Sequence, residues 1–322
     1  MRPFEDLTAS GQARRLRLFA QQALIEHYGF RAPSVRLVSA HSFNTVFRVD
    51  ADGQRFALRI GDSTRIHPMG VEDAESAWLA RLHEDGFGTA RITPTTNGQR
   101  WVEMNHADVS GPRVCTLFSW VRGRELGRST SAADISRAGQ LMARLHEHST
   151  GLSIEPPAAV RAERAIYFAD DDMVASHPHP ERSLFVEATE RVQTHTDELW
   201  RTNPTEPRLL HGDFGPHNIL RYRQHLVSID FQDLIYGFPE QDLGITLTDL
   251  ARESSELTDD FLRGYGQVAE PPDLSPTLLG LYGAARSLNV MNLALHAPHR
   301  RIARAFDAHA ALVSKWMRGR HN

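Results

Sequence analysis

Between residues 10 and 28, Leu16, Phe19, Ala20, Ala23, Leu24, His27 and Tyr28 recur at helical spacing, and Gly29 follows as a left-handed C-cap. Beyond it the apolar period shortens towards two. Ser34 to Val38 starts a strand, Ser39 to Thr45 is a polar turn, and Val46-Phe47-Arg48-Val49 alternates. Asp52-Gly53 then makes a hairpin turn, and Gln54 to Ile60 returns. Helical spacing resumes over Pro68 to Glu84, with Val71, Ala74, Trp78 and Leu82 on one face and Gly86 beyond the end. After a turn at Pro94 to Gly98, Arg100 to Met104 and Arg113 to Trp120 read as a strand pair. From there helices dominate: Ser131 to His148, Leu184 to Trp200, Phe261 to Val268, Leu278 to Leu295 and Arg300 to Met317. Residues 150–160 and 176–181 are proline-rich connections.

Composition changes this picture little. The 322 residues are ample for a buried core, in one large domain or two modest ones. A net charge of -4 gives no electrostatic case for nucleic acid or a membrane surface. No 18-residue apolar run occurs and no leader is visible at the N-terminus, so a cytoplasmic enzyme is expected, as a monomer or homodimer. Cys115 stands alone, which excludes an intramolecular disulfide and a thiolate-rich metal site. Lys315 is the only lysine, so arginine carries the remaining side-chain cationic work apart from histidine. The run Asp170-Asp171-Asp172 reads as a solvated face, although an acidic insert could select a cationic substrate.

The chemistry concentrates in one stretch. Leu209-Leu210 leads into His211-Gly212-Asp213-Phe214-Gly215-Pro216-His217-Asn218, and Ile219-Leu220 leads out. The glycines and the proline force an irregular backbone around Asp213 and Asn218. Twelve residues beyond Asn218, the apolar run from His225 to Ile229 ends on Asp230. A carboxylate and an amide from one loop, with a second carboxylate at a nearby strand end, form a proton-acceptor and divalent-metal set suited to phosphoryl transfer. Asp213 is the candidate base or orienting carboxylate, and Asn218 and Asp230 are the candidate Mg2+ ligands, offering the hard oxygen atoms that ion takes. His211 is expected to brace the loop.

The pattern H-G-D-x-x-x-x-N followed by I-D-F resembles the aminoglycoside phosphotransferase and choline kinase family, small-molecule relatives of the protein kinases, which use H-R-D at the same spacing. The resemblance covers most of residues 35–250. It implies an α+β, two-lobed protein-kinase-like fold with a lobe boundary near Trp120. Residues 1–120 would form a small nucleotide-binding N-lobe with an antiparallel sheet, and residues 121–322 a larger, mainly helical C-lobe. It implies ATP and Mg2+ as cofactors and a small-molecule hydroxyl as acceptor, aminoglycoside-, choline- or homoserine-like. By the same resemblance, His41 to Thr45 corresponds to the loop that covers the nucleotide, with Ser42, Asn44 and Thr45 as contacts and no glycine. Arg59 takes the place of the strand lysine, and Glu75 is its helix partner, with Glu72 and Asp73 as competitors. Cys115 to Val121 corresponds to the hinge, where backbone N–H and C=O groups would read the adenine edge, with Phe118 and Trp120 as the nucleotide-binding positions. His146 closes an L-x-x-L-H signature. Asp242 matches the Asp that anchors the catalytic loop in G-D-P-x-x-D-L, while Phe238 stands where that pattern has its first Asp.

Other readings remain at this point. A metallohydrolase would use His211, Asp213 and His217, but would leave Asn218 and the hairpin-helix segment unexplained. A catalytically dead nucleotide-binding module would fit the missing loop glycines and strand lysine, but not the intact Asp213, Asn218 and Asp230. A protein serine/threonine kinase shares the motifs, although no A-P-E sequence follows Asp230.

Overall fold

The computed structural model describes residues 2–40, 43–68, 70–127, 130–152, 160–169, 171–297 and 301–319. They group into two compact units. The residues before Ile66 together with Ser76–Val121 form a sheet unit; Ile66–Glu75 and most of the chain from Arg122 onward form a helical unit.

In the sheet unit, helix α1 (Ala9–Tyr28) begins at Thr8, whose hydroxyl accepts the Gly11 N–H, and ends at Gly29 with φ 73°. The strands β1 (Ser34–Ala40), β2 (Asn44–Ala51), β3 (Gln54–Gly61), β4 (Val102–His106) and β5 (Val109–Ser119) form one antiparallel sheet in the order β1-β2-β3-β5-β4. Period two sorts their side chains between two faces. Phe47, Val49, Leu58, Ile60, Cys115 and Leu117 join Phe19, Ala23 and Leu24 of α1 in one core. Burial there pushes the Cys115 thiol up to about 12, so it behaves as a small apolar side chain. Helix α2 (Val71–Glu84) straddles the division, its first turn grouping with the helical unit.

The helical unit contains β6 (Arg124–Glu125), α3 (Ala132–His148), β7 (Val160–Arg161), α4 (Arg182–Thr202), β8 (Arg208–Leu210), β9 (Ile219–Tyr222), β10 (His225–Ser228), β11 (Ile235–Gly237), α5 (Pro239–Ala251), α6 (Ser255–Tyr265), α7 (Pro276–His296) and α8 (Phe306–Arg318). Two small sheets, β10-β9-β6 and β7-β11-β8, carry the loops between these helices. Ile166, Phe185, Leu288, Met291, Val313 and Met317 form part of its core.

The α+β architecture expected from the motifs is the one observed, an antiparallel sheet followed by a mainly helical part. Several boundaries move. Asn44 and Thr45 belong to β2 and not to the turn, because they pair with Gly61 and Ile60 of β3. The helix expected from Pro68 starts at Val71, and the last one starts at Phe306, after a 3-10 turn over Arg301–Ala305. Periodicity has no place for α5, which is buried nearly all round and so shows no polar face to read. Its Pro239 occupies the first turn, where a missing N–H costs nothing. Phe238 stands where the expected Asp would cap, and the Gln241 side chain takes over, accepting the Phe238 N–H at 3.0 Å. Among the described residues no helix is long and apolar enough to cross a membrane.

Candidate active site

Strand β8 pairs with β11, and its Leu209 and Leu210 are buried, so the chain reaches His211 with a fixed direction. The turn that follows is held by helix α5. Asp242, fully buried, accepts the N–H of His211 at 3.0 Å through Oδ2 and that of Gly212 at 3.1 Å through Oδ1. One helical turn on, the Thr246 hydroxyl donates to the Phe214 carbonyl at 3.0 Å. Asp242 Oδ2 also accepts from His146 Nε2 at 3.2 Å, and His146 Nδ1 accepts the Tyr265 hydroxyl at 2.9 Å. A buried carboxylate is tolerated where hydrogen bonds satisfy it. Asp242 and His146 are therefore loop anchors.

Gly212 is required on two counts. Its φ is 78°, and a Cβ there would lie 1.9 Å from the Asp233 carbonyl oxygen. His211 braces the loop as expected: Nε2 donates to the Ile229 carbonyl at 3.1 Å and Nδ1 faces the Asp213 N–H at 3.4 Å. With both ring nitrogens engaged, His211 has none left for a metal, which removes the first ligand of the metallohydrolase reading.

Asp213 and Asn218 meet directly. Asn218 Nδ2 donates to the Asp213 carbonyl at 2.9 Å and to its Oδ2 at 3.0 Å, and His217 Nε2 approaches the same oxygen at 3.2 Å. The Ile229 N–H donates to the Asn218 carbonyl at 2.9 Å, which ties the loop to the residue before Asp230. Asp230 is exposed, in the left-handed region at φ 60°, ψ 67°. Asn218, its amide nitrogen used on Asp213, keeps its oxygen as the atom a cation would take. That oxygen and the Asp230 carboxylate are hard donors of the kind Mg2+ prefers.

Sequence reasoning missed the other partner of Asp213. Arg286, on α7, donates from Nη2 to Asp213 Oδ1 at 2.5 Å, and the two side chains are only 15% and 18% exposed. Burial pushes the Asp213 carboxyl up, but Arg286, then His217 and His211, outweigh it and hold it well below the usual carboxylate range. His217 shifts the other way: its hydrogen bond to Asp213 raises it against the effect of burial. A signal for Arg286 existed, since Arg286, Ser287, Asn289 and Asn292 interrupt a mainly apolar helix. Asp233, two residues past Phe231, binds His67 Nε2 at 2.6 Å.

The expected nucleotide contacts are mostly in the sheet unit. Arg59 is buried on β3, on the face opposite the core, with its guanidinium 5.1 Å over the Phe118 ring. Thr45 pairs with Ile60 beside it, and Trp120 lies 6.0 Å from the Arg48 guanidinium. Asn44 pairs with Gly61. Ser42 lies outside the described residues. Glu75 is buried on α2 and groups with the helical unit, whereas Arg59 groups with the sheet unit. In the acidic run, Asp172 Oδ1 accepts the N–H groups of Val174 and Ala175 at 2.9 and 3.2 Å, a local turn; Asp170 lies outside the described residues.

An antiparallel sheet followed by helices, with an Asp-Asn loop and a following Asp at a strand end, is the arrangement expected of a protein-kinase-like phosphotransferase. The model of the phosphotransferase enzyme family matches residues 34–277, and the chain belongs to that family. The class expected from the motif, a kinase or phosphotransferase with an alcohol group as acceptor, is the class to which this family corresponds. Solved structures with the same fold include an amicoumacin kinase in complex with AMP-PNP, Ca2+ and Ami (15% identity, TM-score 0.74, covering 97% of this chain and 96% of that one). A microcompartment-associated aminopropanol kinase is 23% identical, with TM-score 0.72 and coverage of 94% and 96%. A choline/ethanolamine kinase family protein from Mesorhizobium loti is 14% identical, with TM-score 0.63 and coverage of 93% and 94%. A search of curated proteins finds no match.

Proposed function

We propose that this protein transfers the γ-phosphoryl group of ATP, with Mg2+, to a hydroxyl of a small molecule of the aminoglycoside, choline or homoserine kind. The carrying observation is the joining of Asp213 and Asn218 by two hydrogen bonds, with Asp230 tied to the same loop through Ile229. The AMP-PNP bound to the amicoumacin kinase, and the aminopropanol for which the other kinase is named, are compatible with this reading.

The acceptor hydroxyl donates to Asp213. Its oxygen bonds to the γ-phosphorus as the bond to ADP breaks, and its proton passes through Asp213 to solvent. Because Asp213 is a weak base here, its main contribution is to hold the hydroxyl in line, with proton uptake late, as suits a loose phosphoryl-transfer transition state. Asn218 and Asp230 would hold Mg2+, which neutralises phosphate charge when bound. Arg59, in the sheet unit, would contact phosphate oxygens, and Glu75 of α2 is its proposed partner. Ser42, Asn44 and Thr45 would cover the nucleotide, and the backbone at Phe118 and Trp120 would read the edge of its base.

Mg·ATP binding and ADP formation are measured together, with a screen over aminoglycosides, choline, homoserine and sugars. Asp213→Asn should cut transfer by on the order of 10²–10⁴ while leaving ATP affinity nearly unchanged. Asp230→Ala should remove most of the Mg2+-dependent affinity. Full turnover in Asp213→Asn, or unchanged Mg·ATP affinity in Asp230→Ala, would sink the respective assignment.

A further inference from the structure

We propose that Arg286 is a positioning residue for the reaction, an inference that rests on the phosphotransfer reading above: it fixes the Asp213 carboxylate so that a single lone-pair direction is left for the acceptor hydroxyl. An ionised carboxylate offers about four acceptor sites. Oδ2 takes Asn218 Nδ2 at 3.0 Å and His217 Nε2 at 3.2 Å, and Oδ1 takes Arg286 Nη2 at 2.5 Å. Among the described contacts, that leaves one site, on Oδ1. A hydroxyl using it has its proton aimed along one line, which is the condition for high effective concentration at the phosphorus.

The fold holds Arg286 from both directions. Three and six residues further along α7, Asn289 and Asn292 are buried and hydrogen-bonded to backbone. Asn289 Oδ1 accepts the Tyr167 N–H at 3.0 Å, and its Nδ2 donates to the Ala165 carbonyl at 2.8 Å. Asn292 Oδ1 accepts the Met173 N–H at 2.8 Å, and its Nδ2 donates to the Asp171 carbonyl at 2.9 Å. These four bonds set the rotation of α7 about its axis. Helix α5 packs against it so closely that a Cβ on Gly244 would lie 2.5 Å from the Tyr282 ring. The same α5 carries Asp242, the anchor of the His211 and Gly212 N–H groups. The two helices therefore set the distance between the Arg286 guanidinium and the Asp213 backbone.

The test uses the full-length protein with three variants, Arg286→Ala, Arg286→Lys and Arg286→Ala combined with Asp213→Asn. ADP formation is followed with water and with a screened acceptor, and Mg·ATP affinity by calorimetry. Arg286→Ala should lower kcat by roughly 10–10²-fold, as a displaced reactive group does, with nucleotide affinity changed less than about twofold. Arg286→Lys should recover part of the rate, since it keeps the charge but lacks the rigid guanidinium that places Nη2 on Oδ1. Added to Asp213→Asn, the alanine substitution should lower kcat no further, because its effect passes through Asp213. Wild-type kcat in Arg286→Ala, or an equal loss with and without Asp213, would overturn the proposal. Should Arg286→Ala fail to fold, Arg286→Lys decides: a wild-type rate there refutes positioning by the guanidinium. A wild-type protein that binds no nucleotide would remove the phosphotransfer reading and this one together. Nucleotide turnover that is indifferent to Arg286 removes this one alone.

Discussion

The sheet of the first unit and the Asp213 loop of the second are held in place by opposite kinds of contact. Phe47, Val49, Leu58 and Ile60 are held by exclusion of water, a force without direction that tolerates a change of shape more readily than a loss of volume. His211, Gly212, Asp213 and Phe214 are held by individual hydrogen bonds to Asp242, Thr246, Asn218 and Arg286. Each of those has a direction and nearly no substitute. A scaffold can be built from the first kind of contact. Placing a reacting carboxylate to within a fraction of an ångström requires the second.

Removing one anchor should therefore do more harm than removing one core side chain. Asp242→Ala deletes the acceptor of two buried N–H groups and of His146 together. A loss of about 3–5 kcal/mol of stability is expected, as for other broken buried polar networks, along with loss of turnover in whatever remains folded. Urea denaturation and activity per folded molecule check this, and wild-type kcat in the folded fraction would break the contrast. Leu58→Ala, in the sheet, should cost about 2–5 kcal/mol by leaving a cavity, yet leave kcat of the folded fraction within about twofold. A large fall in kcat there would mean that the sheet core also positions the chemistry.

The smallest effect concerns His217, half-exposed against Asp213. Its folded pKa is raised, so its stabilising contribution is fully present below the unfolded value of about 6.5 and is lost as pH rises through the folded one. With solvent screening, the difference between wild type and His217→Ala should stay under about 1 kcal/mol. Metal-free denaturation curves from pH 5.5 to about 9 would show the difference shrinking as pH rises. A flat difference would mean that the bond is absent in solution.

The same contrast explains what could be read from sequence. The alternation of Val46 to Val49 and of Phe56 to Ile60 names the strands, because a sheet with one buried face prints its geometry with period two. The spacing of Asp213, Asn218 and Asp230 names the loop, because those residue types recur there for chemical reasons. Arg286 escaped both routes. It lies 73 positions from its partner on a helix whose periodicity marks only the apolar face, and no local pattern reports that distance. Helix α5 escaped because, buried on nearly all sides, it has no polar face to betray its period, and Phe238 replaces the cap a reader looks for. Arg59 and Glu75 are each buried, where sequence alone left open an outward-facing strand arginine and an acid placed for the helix dipole.

The left-handed backbone of Asp230 has a consequence for the protein's history and its engineering. A non-glycine residue at φ 60°, ψ 67° costs on the order of 1 kcal/mol relative to glycine, somewhat less for Asp than for most. On the proposed assignment that cost is retained for the carboxylate alone. Selection for heat tolerance without an activity screen would then drift towards glycine at 230, giving a sturdier and silent protein. The same substitution in a natural relative would mark a copy released from the need to transfer phosphate, legible in a genome without any assay.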